Sequence, residues 1–534
     1  MKQLRSALGL AAALLLAGSA GCGAEGGESP PLGTGGGWDN AGGSTDSQTG
    51  AGGAGGGAGG TEGRVDDDVP GSRAGGDGDD LAQRAPGTGK SDLPECTSGL
   101  PTLAFHLSSD DSNSMASPVI AREHLRAGHA PNPAQIRTYE FLNYYNVLYD
   151  LPDPQAQQLG LFAEMEPLGP SPRTGLPTYR LQVGVQAFQI PRVPMVVTFV
   201  VDASGSLVGE GIERERAALL AITKGLQPGD IVHIVKWGTD ENVLLENYVA
   251  TTPEANEAAL AAAVNQLAPG GGSDLHGGLV KGYELAKAHF DPEKLNRVVL
   301  LSDGGANLGQ LDRTVIADAA AEAGGEGIYL VGIGVGPAQG YTDNLMDLVT
   351  DAGRGAYVYL DGPEEAEAIF SARFDEIMNV AARNVRVRVD LPEYVDIEKF
   401  YGEEWSNDPT NIDPQNLAPG DSMVLNQVIY LEDPAVACGF DTVTVKVTWE
   451  TPLTHEAREF TAPPVSLLDL VSKPPSKQML EANAIIAYAE ALKSNDAAEL
   501  SAALDQVKAA EKATGDADLA EIVDLLQNHP VLSP

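Results

Sequence analysis

The run Met195–Val201 (Met-Val-Val-Thr-Phe-Val-Val) is apolar and β-branched almost without interruption. Only a strand buried on both faces needs such a run, because a strand with one wet face alternates polar and apolar residues. After it, helix-like stretches (Gly211–Gly225, Pro253–Leu267, Leu275–His289, Leu311–Gly324, Tyr341–Ala352) alternate with apolar strands (Ile231–Trp237, Arg297–Leu301, Ile328–Ile333, Ala356–Leu360). Alternating β and α segments with right-handed crossovers specify an α/β fold, a doubly wound and mostly parallel sheet of Rossmann-like type. In that architecture ligands bind beyond the carboxyl ends of the strands.

The pattern differs on either side. Gln135–Tyr149 has mixed helical spacing and Thr178–Phe188 alternates like a strand. A helix over Glu364–Ala382 is followed by period-two strands at Val385–Leu391, Met423–Leu431 and Thr442–Thr448. These flanks are expected to pair with each other, so that the α/β region is inserted into a β-rich flanking domain. Lys477–Lys493, Asp496–Ala513 and Ala517–Leu526 form an Ala-rich helical tail, punctuated by Ser494–Asn495 and Gly515. Such a tail either packs on its own domain or serves as a partner-binding repeat. The expected segments are 1–22, 23–95, 96–193, 194–383, 384–470 and 471–534.

The first residues read as an export signal: Lys2 and Arg5 precede the apolar stretch Ala7–Ala20, too short to span a bilayer. Ser19-Ala20-Gly21-Cys22 resembles the bacterial lipobox, with Ser19 in place of the usual Leu, and the resemblance implies acylation of Cys22. Cleavage without lipidation is the alternative. From Gly23 to about Glu95 the chain is rich in Gly and Asp, and as a flexible tether it would reach ~45–50 Å. Cys96 and Cys438 remain as an even pair; the alternatives are a disulfide, expected in an oxidising compartment, and two unrelated thiols. The chain is therefore expected in the bacterial cell envelope as an outer-membrane lipoprotein facing the periplasm or the surface, touching the membrane through lipid only. Its 34 Lys+Arg against 75 Asp+Glu, a net charge of −41, argue against nucleic acid as a partner, since phosphate binding rests on basic side chains.

Three polar loops fall where strands should end. Asp202-Ala203-Ser204-Gly205-Ser206 follows the first strand, Gly270-Gly271-Gly272-Ser273-Asp274 follows a helix, and Ser302-Asp303-Gly304-Gly305 follows Arg297–Leu301. Hydroxyls and carboxylates are hard donors, suited to a hard divalent ion such as Mg²⁺, with Mn²⁺ or Ca²⁺ also possible. Singly, each loop could merely turn the chain and cap a helix. The glycines at 332, 334 and 336 do not make a dinucleotide fingerprint, because Pro337 stands where the last Gly belongs. No Gly-x-Ser-x-Gly elbow or His-Glu-x-x-His pair occurs.

In these residues the chain resembles the von Willebrand factor type A (VWA) domain with its metal-ion-dependent adhesion site (MIDAS). The family pattern is Asp-x-Ser-x-Ser, a Thr some seventy residues on, and an Asp in a Thr/Ser-Asp-Gly turn. Ser273 replaces the Thr and keeps its hydroxyl. Asn307, the Gly332–Gly336 segment and Asp343 also match bacterial members, and the flanks, Arg137–Tyr145 included, look like those of exported bacterial VWA lipoproteins. The resemblance implies Asp202, Ser204, Ser206, Ser273 and Asp303 as metal ligands. It further implies a non-enzymatic adhesion or assembly module that takes an Asp or Glu carboxylate from a protein ligand. A metal-dependent hydrolase and a structural envelope protein with a degenerate site are the alternatives.

Overall fold

The computed structural model describes residues 101–110, 112–153, 156–309, 327–432 and 441–533. The expected signal, tether and helix Leu311–Gly324, with Cys22, Cys96 and Cys438, lie outside the described residues.

In chain order, β1 (Thr102–Ser108), α1 (Ala116–Arg126), α2 (Thr138–Tyr144), β2 (Gly160–Pro170) and β3 (Pro177–Gln186) come first. The α/β region follows: β4 (Met195–Asp202), α3 (Glu210–Ile222), β5 (Ile231–Trp237), β6 (Asn242–Val249), α4 (Pro253–Val264), α5 (Leu275–Ala288), β7 (Leu295–Ser302), β8 (Ile328–Gly334), α6 (Asp343–Gly353) and β9 (Tyr357–Tyr359). Its sheet has the order β6-β5-β4-β7-β8-β9, parallel except for the antiparallel edge strand β6. Every residue of β4 is buried, as its sequence requires. Successive side chains of a strand point to opposite faces, and each face here has its own core. Val197, Phe199 and Val201 pack with Ile212, Leu219 and Ile222 of α3. Val200 packs with Leu279 of α5 and Met346 of α6 on the other side. Each such fully buried side chain contributes about 1.5–3 kcal/mol.

The chain then passes through β10 (Ala382–Pro392), β11 (Val395–Phe400), β12 (Glu404–Ser406), β13 (Gln415–Leu417), β14 (Ser422–Leu431), β15 (Thr442–Glu450) and β16 (Ala457–Thr461). Strands from before and after the α/β region pair directly: Phe105 of β1 lies opposite Val389 of β10, and Val183 of β3 opposite Leu425 of β14. The two resulting antiparallel sheets share one apolar core that includes Phe105, Val389 and Val447 from one and Val183 and Leu425 from the other. The α/β region is thus an insertion in a β-rich flank. α1 and α2 hold it there through buried ion pairs, Arg122 with Asp361 (2.8 Å) and Glu365 (2.6 Å), and Arg137 with Asp343 (2.7 Å).

The tail forms α7 (Lys477–Ser494), α8 (Ala497–Thr514) and α9 (Ala517–Gln527). Ser476, Asp496 and Asp516 cap their amino ends, and Asn495 and Gly515 take left-handed conformations at the ends of α7 and α8. Its apolar face packs on its own chain: Ile485, Leu500 and Ile522 share a core with Phe141 of α2, whose ring meets Tyr488 edge-on at 5.4 Å. Among the described residues no helix is long and apolar enough to cross a membrane.

Two expectations need correction. The single helix over Glu364–Ala382 is instead Pro363–Glu367, a π-turn at Ala368–Ala372 and Phe374–Met378, and Ala382 already opens β10. The strand β6, absent from the sequence reading, flanks β5; its side chains are half-buried or exposed, so it leaves no apolar pattern.

Candidate metal centre

β4 and β7 are neighbours, so Asp202 at the end of one and Ser302-Asp303 at the end of the other emerge side by side. Asp202 is fully buried. Its Oδ1 accepts from the Ser204 N–H (2.8 Å), its Oδ2 accepts from the Ser302 hydroxyl (2.8 Å), and its own N–H donates to Glu215 Oε1 (2.9 Å). The turn that follows brings the hydroxyls of Ser204 and Ser206 within 3.0 Å of each other.

The glycine loop lies directly against this turn. Gly270 N–H donates to Ala203 O (2.9 Å) and Gly205 N–H to Gly271 O (3.2 Å); a Cβ on Gly205 would stand 2.9 Å from that carbonyl, which explains the glycine. Ser273 is buried and tied to the third loop. Its N–H donates to Asn307 Oδ1 (2.8 Å), its carbonyl accepts from Asn307 N–H (2.9 Å), and its hydroxyl lies 3.4 Å from Asn307 Nδ2. Asp303 Oδ1 accepts from Gly305 N–H (2.9 Å), and the Asp303 carbonyl accepts from Thr342 N–H (3.0 Å). Gly304 has φ +74°, and a Cβ there would meet the Thr342 carbonyl at 2.4 Å. The loops that carry all five expected residues are therefore tied into one crevice at the carboxyl ends of β4 and β7. Asp202, Ser204 and Ser206 are in direct side-chain contact, the Ser204 hydroxyl meeting both the Asp202 carboxylate and the Ser206 hydroxyl.

The crevice is crowded with negative charge. Burial first, and then the charge of Asp303, push the Asp202 carboxyl up to about 7, against the opposing hydrogen bonds from Ser204 and Ser302. Burial and the neighbouring Asp202 push Glu215 well above the usual carboxylate range. Glu215 is wholly buried and its Oε2 has no hydrogen-bond partner. None of these three carboxyls forms an ion pair with a Lys or Arg among the described residues, and buried charge without a partner is costly. Hydroxyls from three loops beside uncompensated carboxyls fit a hard divalent cation. Among the described residues no group of three or more His, Cys, Asp or Glu is arranged to hold a metal. A five-residue set with only two carboxylates is a different kind of site.

Glu215 and Ser302 carry weight here that the sequence reading did not give them. Glu215 had a signal: it interrupts the apolar face of α3 between Ile212 and Leu219. Ser302 read only as part of a turn.

The model of the von Willebrand factor type A domain matches residues 196–359, the span from β4 to β9 that builds this crevice. The chain contains a VWA domain. The Escherichia coli (strain K12) protein YfbK is 25% identical over 408 residues, covering 70% of this chain and 69% of YfbK. The mouse inter-alpha-trypsin inhibitor heavy chain H3 is 28% identical over 203 residues, 37% of this chain and 22% of that protein. Among solved structures, a von Willebrand factor type A protein from Catenulispora acidiphila aligns over 72% of this chain and 92% of its own, with TM-score 0.46 and 16% identity. The similarity to YfbK extends well beyond the VWA span into the flanks, whereas that to H3 is little longer than the domain itself.

Proposed function

We propose that this VWA protein is a divalent-metal-dependent binding module that recognises a protein partner through an Asp or Glu side chain, without turnover. The observation that carries the reading is the joining of three oxygen-rich loops around the uncompensated carboxyls of Asp202, Asp303 and Glu215. Asp202, Ser204, Ser206, Ser273 and Asp303 would hold Mg²⁺, with Mn²⁺ or Ca²⁺ as substitutes. When bound, the ion supplies a local positive charge able to take a carboxylate from the partner. The chain's own part is to fix the donors: Ser302 and the Ser204 amide orient Asp202, Asn307 anchors Ser273, and Gly304 lets the Asp303 turn close against Thr342. Because few of the donors are charged, the site keeps an affinity for an acid from outside, unlike a cage of carboxylates. Such a contact would be stronger than an exposed salt bridge of about 0–1 kcal/mol.

The same proposal places the chain in a bacterial envelope, as an outer-membrane lipoprotein acylated at Cys22 and tethered by residues 23–95, with Cys96 and Cys438 bridged. The export-like amino terminus and the extended similarity to a bacterial protein support this reading. A crosslinking pulldown from envelope extracts tests it. Partners recovered with Mg²⁺ should disappear with EDTA and with Asp202→Ala, whereas recovery that survives both would refute it.

A further inference from the structure

The amino ends of the same sheet hold a second charge anomaly. Arg297, third residue of β7, is 4% exposed and forms no ion pair among the described residues. Its Nε donates to the Met378 carbonyl (3.2 Å) and its Nη1 to the Asn296 carbonyl (3.1 Å). Its guanidinium carbon stands 5.1 Å from the centre of the Tyr329 ring, which Arg383 also approaches, at 5.9 Å. These two are the titratable groups that act on it, and one bears the same charge. Burial, with a small contribution from Arg383, lowers Arg297 to about 10 against the pull of Tyr329. A buried arginine is ordinarily matched by a carboxylate. In a chain with 75 acidic residues the lack of one here is local and specific.

Arg297 lines a polar cavity of about 30 Å³ between the α/β region and the β-rich flank. Arg354 lines it too. Arg354 ends α6 in the left-handed conformation, φ 55°, where Gly or Asn is usual, and its side chain is in no ion pair among the described residues. Asn379, also in the lining, is 4% exposed and its Nδ2 has no hydrogen-bond acceptor. Asn113, in the opposite wall, is fastened to the Asn416 carbonyl of β13. The one carboxylate of the lining, Glu376, is engaged by Arg373 Nε at 2.6 Å. The α/β region thus lines the cavity with the unmatched donors of Arg297, Arg354 and Asn379, opposite a wall of the flank in which Asn113 and Asn416 bond each other.

We propose that this junction cavity binds a small monovalent anion of chloride size between Arg297 and Arg354 of the α/β region, enclosed on its other side by the flank. Volume selects the class. A water needs at least about 10–15 Å³, so the cavity has room for a halide or a pair of waters but not for a phosphorylated metabolite. The site lies at the opposite ends of the strands from the proposed metal centre and does not depend on it.

Two measurements on the full chain test the proposal. An anion that binds the folded state alone raises Tm with the logarithm of its concentration. Tm should therefore climb in chloride relative to gluconate at equal ionic strength, and Arg297→Met should remove that difference. Should Arg297→Met fail to fold, the exposed Arg354→Gln should still reduce it. A crystal soaked in bromide should show an anomalous peak beside the Arg297 guanidinium. The absence of that peak, or a chloride effect that persists in full in both variants, would overturn the proposal.

Discussion

The two ends of the VWA sheet are electrostatic opposites. Beyond the carboxyl ends of β4 and β7, Asp202, Asp303 and Glu215 lie within reach of one another and none forms an ion pair with a described Lys or Arg. At the amino ends of β7, β8 and β9, Arg297 and Arg354 line one cavity with no acidic partner. A net charge of −41 offsets neither. Exposed charges beyond about 8–10 Å are screened, so a buried group is answered only by what packs beside it. The contrast teaches that a chain's overall acidity says little about which ion its interior takes. The placement of hydroxyls, amides and carbonyls around each charge decides that.

The largest expected effect separates the two ends outright. Asp202→Asn keeps the shape of the side chain and removes its charge. Calorimetric titration should detect no Mg²⁺ binding, while the metal-free protein at pH 8 melts higher than the parent because a buried charge has gone. Loss of metal binding together with a lower Tm would show that Asp202 is chiefly structural. Next comes Ser302→Ala, which frees Asp202 Oδ2; metal affinity should fall by about 10–100-fold, as for other groups that orient a ligand. The chloride response of the far end should be unchanged, and a parallel loss there would break the independence of the two ends. Gly304→Ala forces a side chain into a left-handed position facing the Thr342 carbonyl, so denaturant melts should show a loss of about 1–3 kcal/mol.

The smallest effect is on pH dependence. A carboxyl held up to about 7 in the folded chain binds its proton more tightly than in the unfolded chain. Its stabilisation is then complete below the ordinary carboxylate range and is lost as the pH rises through about 7. The metal-free protein should become less stable across that interval, with Glu215 acting in the same direction. Metal requires the ionised form, so Mg²⁺ affinity should rise over the same interval and then level off. A Tm that climbs with pH without metal would contradict this assignment.

Much of this frame is legible in the amino acids because burial writes itself into composition. β4 had to be a two-sided strand, and the Asp-x-Ser-x-Ser motif at its end had to sit at a carboxyl terminus. The insertion was legible through the change from helical to period-two spacing at Val385. What escaped is what depends on partners distant in sequence. β6 is an edge strand whose side chains are half-buried or exposed, so its pairing with β5 leaves no pattern. The interruption of the helix after Glu367 comes from a π-turn, for which Ala368–Ala372 gives no local warning. Ser302 becomes important only because β7 lies beside β4. The far cavity is assembled from residues around 113, 297, 354, 379 and 416, which are distant in sequence and meet only in the fold.

The most direct test of the metal assignment is an anomalous difference map from a crystal of the full chain soaked in Mn²⁺ with no other divalent ion. A single strong peak should fall among the side-chain oxygens of Ser204, Ser206 and Ser273, with Asp202 and Asp303 alongside. Bound Mn²⁺ found elsewhere, with none in that crevice, would contradict the account.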